Sequence, residues 1–155
     1  MSETAIILER NIQADLQTID EIYQKLDMPI LPMGIEEEKL IVLAYRLHSL
    51  YMAFENIFRN IAAAFENNVD DSSGWHSQLL QRMTLNLMPI RPAVIDKNAF
   101  DKLDELRRFR HLFRNAYQTE FDPERLQLVL NKTLALRDLY PTQINQFLSF
   151  IQTLK

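Results

Sequence analysis

The chain has 155 residues, 17 basic and 21 acidic side chains, a formal net charge of −4 and 47% hydrophobic residues, which suits one domain spanning 1–155 with a substantial core and argues against disorder. Only 2 glycines and no cysteines are present, which argues against hairpin-rich sheets and phosphate-cradling loops and removes disulfides, thiol catalysis and zinc ribbons. There is no basic segment leading into a long apolar core at the N-terminus, and no apolar run nears the ~18 residues of a membrane span, so the chain reads as soluble and cytoplasmic.

Prolines punctuate the chain. Pro29 and Pro32 end a first amphipathic segment, Thr4–Leu26, whose apolar residues Ile12, Leu16, Ile19, Tyr23 and Leu26 step by three and four. Residues 36–67 form a long second helix with Leu40, Leu43, Leu47, Leu50, Phe54, Ile57, Phe58, Ile61 and Phe65 as its main stripe. Tyr45, Met52 and Ala62–Ala64 widen that stripe, so this helix should touch neighbours on more than one side. Residues 67–74 are a polar loop, and Ser72 or Ser73 can cap a third helix over Trp75–Leu87. Pro89-Ile90-Arg91-Pro92 reads as an extended connector, because a residue before proline is pushed out of the helical region. Asp96 or Asn98 caps a fourth helix to about Thr119. Asp122 and Pro123 start a fifth in the usual way, a cap followed by proline at the first helical position. Pro141 kinks or breaks it before a last apolar segment from Ile144 to Leu154. No strand-like alternation stands out. The pattern predicts an all-α, up-and-down antiparallel bundle of about five helices.

Charge is uneven along the bundle. Residues 1–38 are acid-rich, whereas Leu106–Gln118 holds Arg107, Arg108, Arg110, Arg114 and His111 with no acid among them. At roughly 100° per residue, Arg107, Arg110, His111, Arg114, Asn115 and Gln118 share an arc of about 140°, and Phe109, Leu112, Phe113 and Ala116 take the opposite side. A solvated basic face is the bland reading. Against it, the strip contains an imidazole, which can move protons near neutral pH. No Glu or Asp stands at i−4 or i+4 from Arg107, Arg110 or Arg114 to form ordinary surface pairs. Phosphate is the anion that clustered guanidinium forks match best.

Other chemistry is sparse. His48, His76 and His111 are far apart in sequence, none at a convincing metal-ligand spacing. There is no nucleophile elbow, Walker or Rossmann motif. His48 reads as a satisfied histidine, Glu55 as a surface or internally bonded glutamate, and Trp75 as a core plug.

The strip resembles the signature of the HEPN superfamily, and more closely its HepT-like branch, in which an arginine is followed after four residues by a histidine and, one residue later, a tyrosine. Arg110 and Tyr117 match, and Asn115 stands where the histidine is expected. The Leu106–His111 lead-in, Gly74–Leu80, Ile90–Ile95 and the Phe121–Arg125 restart also resemble the branch, which places the likeness over roughly residues 40–150. The resemblance implies a HEPN-like bundle and a homodimer whose arginine-bearing helices line a shared cleft. It implies metal-independent RNA cleavage with no cofactor, transfer RNA being one candidate substrate. It also implies a minimal nucleotidyltransferase antitoxin that adds AMP to Tyr117. On this reading Arg110, His111 and Asn115 are catalytic and Arg107 and Arg114 hold RNA phosphates. An amide does not titrate, so Asn115 would orient the ribose while His111, one turn earlier, accepts the proton. Two further readings stay open: a catalytically silent relative that binds RNA, nucleotide or the nucleotidyltransferase, and a structural dimer module whose strip serves assembly.

Overall fold

The computed structural model describes residues 2–66, 74–115 and 121–155. Six helices form: α1 (Ser2–Lys25), α2 (Glu37–Phe65), α3 (Trp75–Arg82), α4 (Lys97–Asn115), α5 (Pro123–Arg137) and α6 (Tyr140–Gln152). The count rises from about five to six because the helix breaks at Asp138–Leu139 and restarts with Pro141 in the first turn of α6, where its missing N–H leaves no helical bond unmade. Among the described residues there is no strand.

Helix α2 is the axis of the molecule. It buries Leu40, Leu47, Leu50, Phe54, Ile57, Phe58 and Ile61 almost completely. Burying one such side chain stabilises by about 1.5–3 kcal/mol, whereas a cap contributes about 1. Burial therefore decides this helix, and Glu36 at its start makes no side-chain cap bond. Helix α1 runs antiparallel to α2: Arg46 donates to the Lys25 carbonyl at 3.0 Å and Asn56 to Asp15 at 2.9 Å, so rising numbers on one meet falling numbers on the other. Helix α4 is also antiparallel to α2, with Phe113 beside His48 and Arg110 beside Met52. Tyr23 ties α1 to α5 by donating to the Thr133 carbonyl at 2.8 Å, and its ring stacks on Tyr140 of α6.

Two helix starts follow the sequence. Asp122 accepts from the Glu124 N–H, and Asp96, of the two candidates, accepts from the Ala99 N–H at 2.8 Å. Helix α3 does not follow it. Its start is Gly74 at φ 84, a conformation other residues reach with strain, and the serines expected to cap it lie outside the described residues. It also stops at Arg82 instead of Leu87.

The reason for that stop is Arg91. Its guanidinium, 0% exposed, donates to the carbonyls of Arg82, Leu85 and Pro92 and to Glu66 Oε1 at 3.0–3.2 Å. Carbonyls that a longer α3 would use are captured by this side chain. Residues 87–91 accordingly close a turn, with Leu87 N–H on the Arg91 carbonyl at 2.9 Å, and do not form the extended connector expected from the prolines. Arg82 shares Glu66 at 2.9 Å. Removing one member of a buried ion pair strands the other and costs about 3–5 kcal/mol. Glu66→Ala should lower the unfolding free energy obtained from urea titration by that order, whereas Arg125→Ala on the exposed start of α5 should stay within about 0.5 kcal/mol.

Candidate anion site between helices α2 and α4

Helix α4 is anchored by Ala99, Leu103, Leu106 and Phe109, all buried at helical spacing. Arg110 continues that stripe and is only 9% exposed. Its Nε lies 2.8 Å from the Met52 sulfur. A thioether is a weak acceptor and brings no negative charge.

The strip does not act as one unit. Asp104 accepts from Arg107 at 2.8 Å and pairs with Arg108 at 3.1 Å. The expectation that no acid compensates the strip is therefore corrected for these two arginines: Asp104 sits three residues before one and four before the other, so it reaches both. Among the described residues, no ion pair involves Arg110 or Arg114. The cationic face thus divides into a compensated pair and an uncompensated pair. Arg114 and His111 are exposed. Leu112, expected on the apolar side, is 41% exposed, because α2 and α5 cover the Phe109 and Phe113 side of the helix and leave Leu112 beyond their reach. Asn115 ends α4, but its side chain and all of Tyr117 lie outside the described residues.

The wall facing these arginines comes from α2. His48 stacks on Phe113 with ring centroids 4.8 Å apart. Phe113 is flanked on α4 by Arg110 and Arg114, whose charges act on the imidazole. Burial, then the charges of Arg110 and Arg114, push the His48 pKa below its ordinary value and favour the neutral ring. Its Nδ1 is sealed from solvent without a hydrogen-bond partner. The satisfied histidine read from the sequence is therefore not what the structure contains. The wheel of α2 held a signal that was passed over: His48, Tyr51, Met52 and Glu55 fall on one face beside the main stripe.

Farther along the same face, polar groups are fully engaged. The buried Glu55 carboxylate pairs with His76 Nδ1 at 2.7 Å and accepts from Tyr51. Burial first, then Glu55, pushes the Tyr51 phenol well above its ordinary range, while Arg107 and Arg110 pull the other way. Glu55 is thus the internally bonded glutamate expected. Trp75 is half-buried under the Arg59 guanidinium, 4.6 Å from its ring centre. Among the described residues no three His, Asp or Glu side chains gather as a metal site. The best-formed cavity, about 390 Å³, lies at the turn between α1 and α2 and receives no residue from α4.

Residues 42–151 match the family model described as HepT-like protein. The chain belongs to the HepT-like family. No curated protein and no solved structure matches it. The matched span of this HepT-like chain begins in α2 and ends in α6, so it holds both walls of the seam. Among the described residues no helix is long and apolar enough to cross a membrane.

The neutral state of His48 has a thermodynamic consequence. The unfolded chain takes up this proton near pH 6.5, and the folded chain resists until lower pH. Stability present above pH 6.5 is therefore lost as the pH falls toward the depressed folded value. Thermal melts between pH 7.5 and 5 should show a falling midpoint, and His48→Gln should flatten that slope.

Proposed function

We propose that this HepT-like protein is an endoribonuclease, the toxin of a toxin–antitoxin pair, cutting RNA without a metal. Arg110 and Arg114 bind the scissile phosphate and stabilise the charge that builds on its oxygens, with a nearby imidazole as proton acceptor. Arg107 is held by Asp104 and serves as a secondary phosphate contact at most. The observation that carries this reading is the Arg110–Arg114 pair, without an ion-pair partner among the described residues, beside the His48 imidazole. A surface evolved only for solubility would pair these charges as it pairs Arg107 and Arg108. A low-dielectric wall strengthens their pull on phosphate.

Two subunits complete the cleft in this proposal. Exposed Ile41, Val42, Tyr45 and Met52 give α2 an apolar stripe beside the arginines, which suits contact with a second copy. A minimal nucleotidyltransferase antitoxin would silence the toxin by adding AMP to Tyr117, seven residues after Arg110 in sequence, so that the adduct's phosphate competes with RNA for the same guanidiniums.

A second reading is favoured by Asn115. An amide at the motif position cannot take a proton, and a chain lacking any substitute base would bind RNA without cutting it. The two readings separate in one assay series. Under the first, expression arrests growth, purified protein cleaves RNA, and Arg110→Ala reduces cleavage by about 10²–10³-fold. Salt-dependent RNA binding with no product from the unmutated protein would establish the second instead.

A further inference from the structure

We propose that His48 of α2, rather than a residue of the α4 strip, is the base that takes the 2′-hydroxyl proton in RNA cleavage. The assignment rests on the ribonuclease reading and names the residue that supplies what Asn115 lacks.

Three observations on the ring converge. The first is position. His48 is clasped to α4 by stacking on Phe113, within reach of the charges of Arg110 and Arg114, which have no carboxylate partner among the described residues. One turn later on α2, Met52 touches the Arg110 Nε. A phosphate held by Arg110 and Arg114 would therefore sit over the His48 ring. His111 lies on the exposed face of α4.

The second is an unexplained polar atom. Nδ1 of His48 is sealed without a partner. Leaving such a group unpaired costs about 1–3 kcal/mol. Leucine or phenylalanine would pack against Phe113 with no such penalty. A histidine held here at a loss of stability is what a functional imidazole looks like, and what a packing residue does not.

The third is charge state. Burial, then the charges of Arg110 and Arg114, keep the ring neutral and able to accept a proton. The negative charge of the phosphorane-like transition state, held among these cations, offsets their repulsion of the transient imidazolium. The ring thus becomes a base where the substrate is, and not in its absence.

The step balances without a cofactor. The His48 ring takes the 2′-hydroxyl proton as the 2′-oxygen bonds to the adjacent phosphorus. The bond from phosphorus to the 5′-oxygen breaks, and that oxygen leaves with a proton from water. The products are a 2′,3′-cyclic phosphate and a 5′-hydroxyl end, and the imidazolium returns its proton to solvent.

The test compares the full-length protein with His48→Gln, which keeps a polar side chain of similar reach but does not titrate. Melting curves and RNA binding by filter retention establish that the variant is folded and holds substrate. Cleavage should then fall by about 10²–10⁴-fold with binding retained within a few-fold. The rising limb of the rate–pH profile should vanish, and added imidazole should restore part of the rate to His48→Ala. Cleavage by His48→Gln at the unmutated rate, or with its rising limb intact, overturns the assignment and leaves the ribonuclease reading standing. An unmutated protein that binds RNA and yields no cyclic phosphate overturns both.

Discussion

The placement of one guanidinium governs this molecule. Arg110 is pressed against α2 with its Nε on the Met52 sulfur and, among the described residues, no carboxylate partner. Burying a cation in this way works against stability by several kcal/mol. The rest of the bundle has to offset it. The aromatic core that joins α2 to α1, α5 and α6 is far from the seam and does so, with Phe54 edge-on to Tyr140 and Tyr23 stacked above. A strong core at one side of α2 permits a strained arrangement at the other.

The acids near the seam are sorted with some care. Glu55 is committed to His76 and Tyr51, and Asp104 to Arg107 and Arg108. Neither is spent on Arg110 or Arg114. Glu66 is likewise bound up with Arg82 and Arg91. Among the described residues, Glu55, Glu66 and Asp104 are thus engaged elsewhere, and the field of the Arg110 and Arg114 charges acts on His48. That field is what a phosphodiester would meet first.

Much of the bundle was legible because its signals are local. Prolines and the caps at Asp96 and Asp122 act within one turn, and the three-and-four stepping of α1 and α2 reports a core whatever lies across it. What failed was non-local. The end of α3 depends on Arg91, whose hydrogen bonds reach back across nine residues and, through Glu66, twenty-five. The division of the arginine strip was within reach: Asp104 stands three residues before Arg107, and a search confined to four-residue spacings misses it. His48 was not within reach of periodicity alone. A wheel shows which residues share a face of α2, but only packing shows that α4 covers that face and that Phe113 brings its two unpaired neighbours with it. The motif positions 115 and 117 were read from a resemblance, and the geometry of their side chains lies outside the described residues.

Asp104 has a bearing on selectivity. By tethering two neighbouring arginines it limits how many counterions the strip can shed when a polyanion arrives. With each phosphate contact contributing about 0.7 to the salt slope of single-strand binding, a clamp of two guanidiniums grips weakly at physiological ionic strength. If the protein binds RNA as proposed, so small a clamp would discriminate against bulk nucleic acid and depend on fit within its groove, and releasing that aspartate would turn the same helix into a sticky, indiscriminate comb.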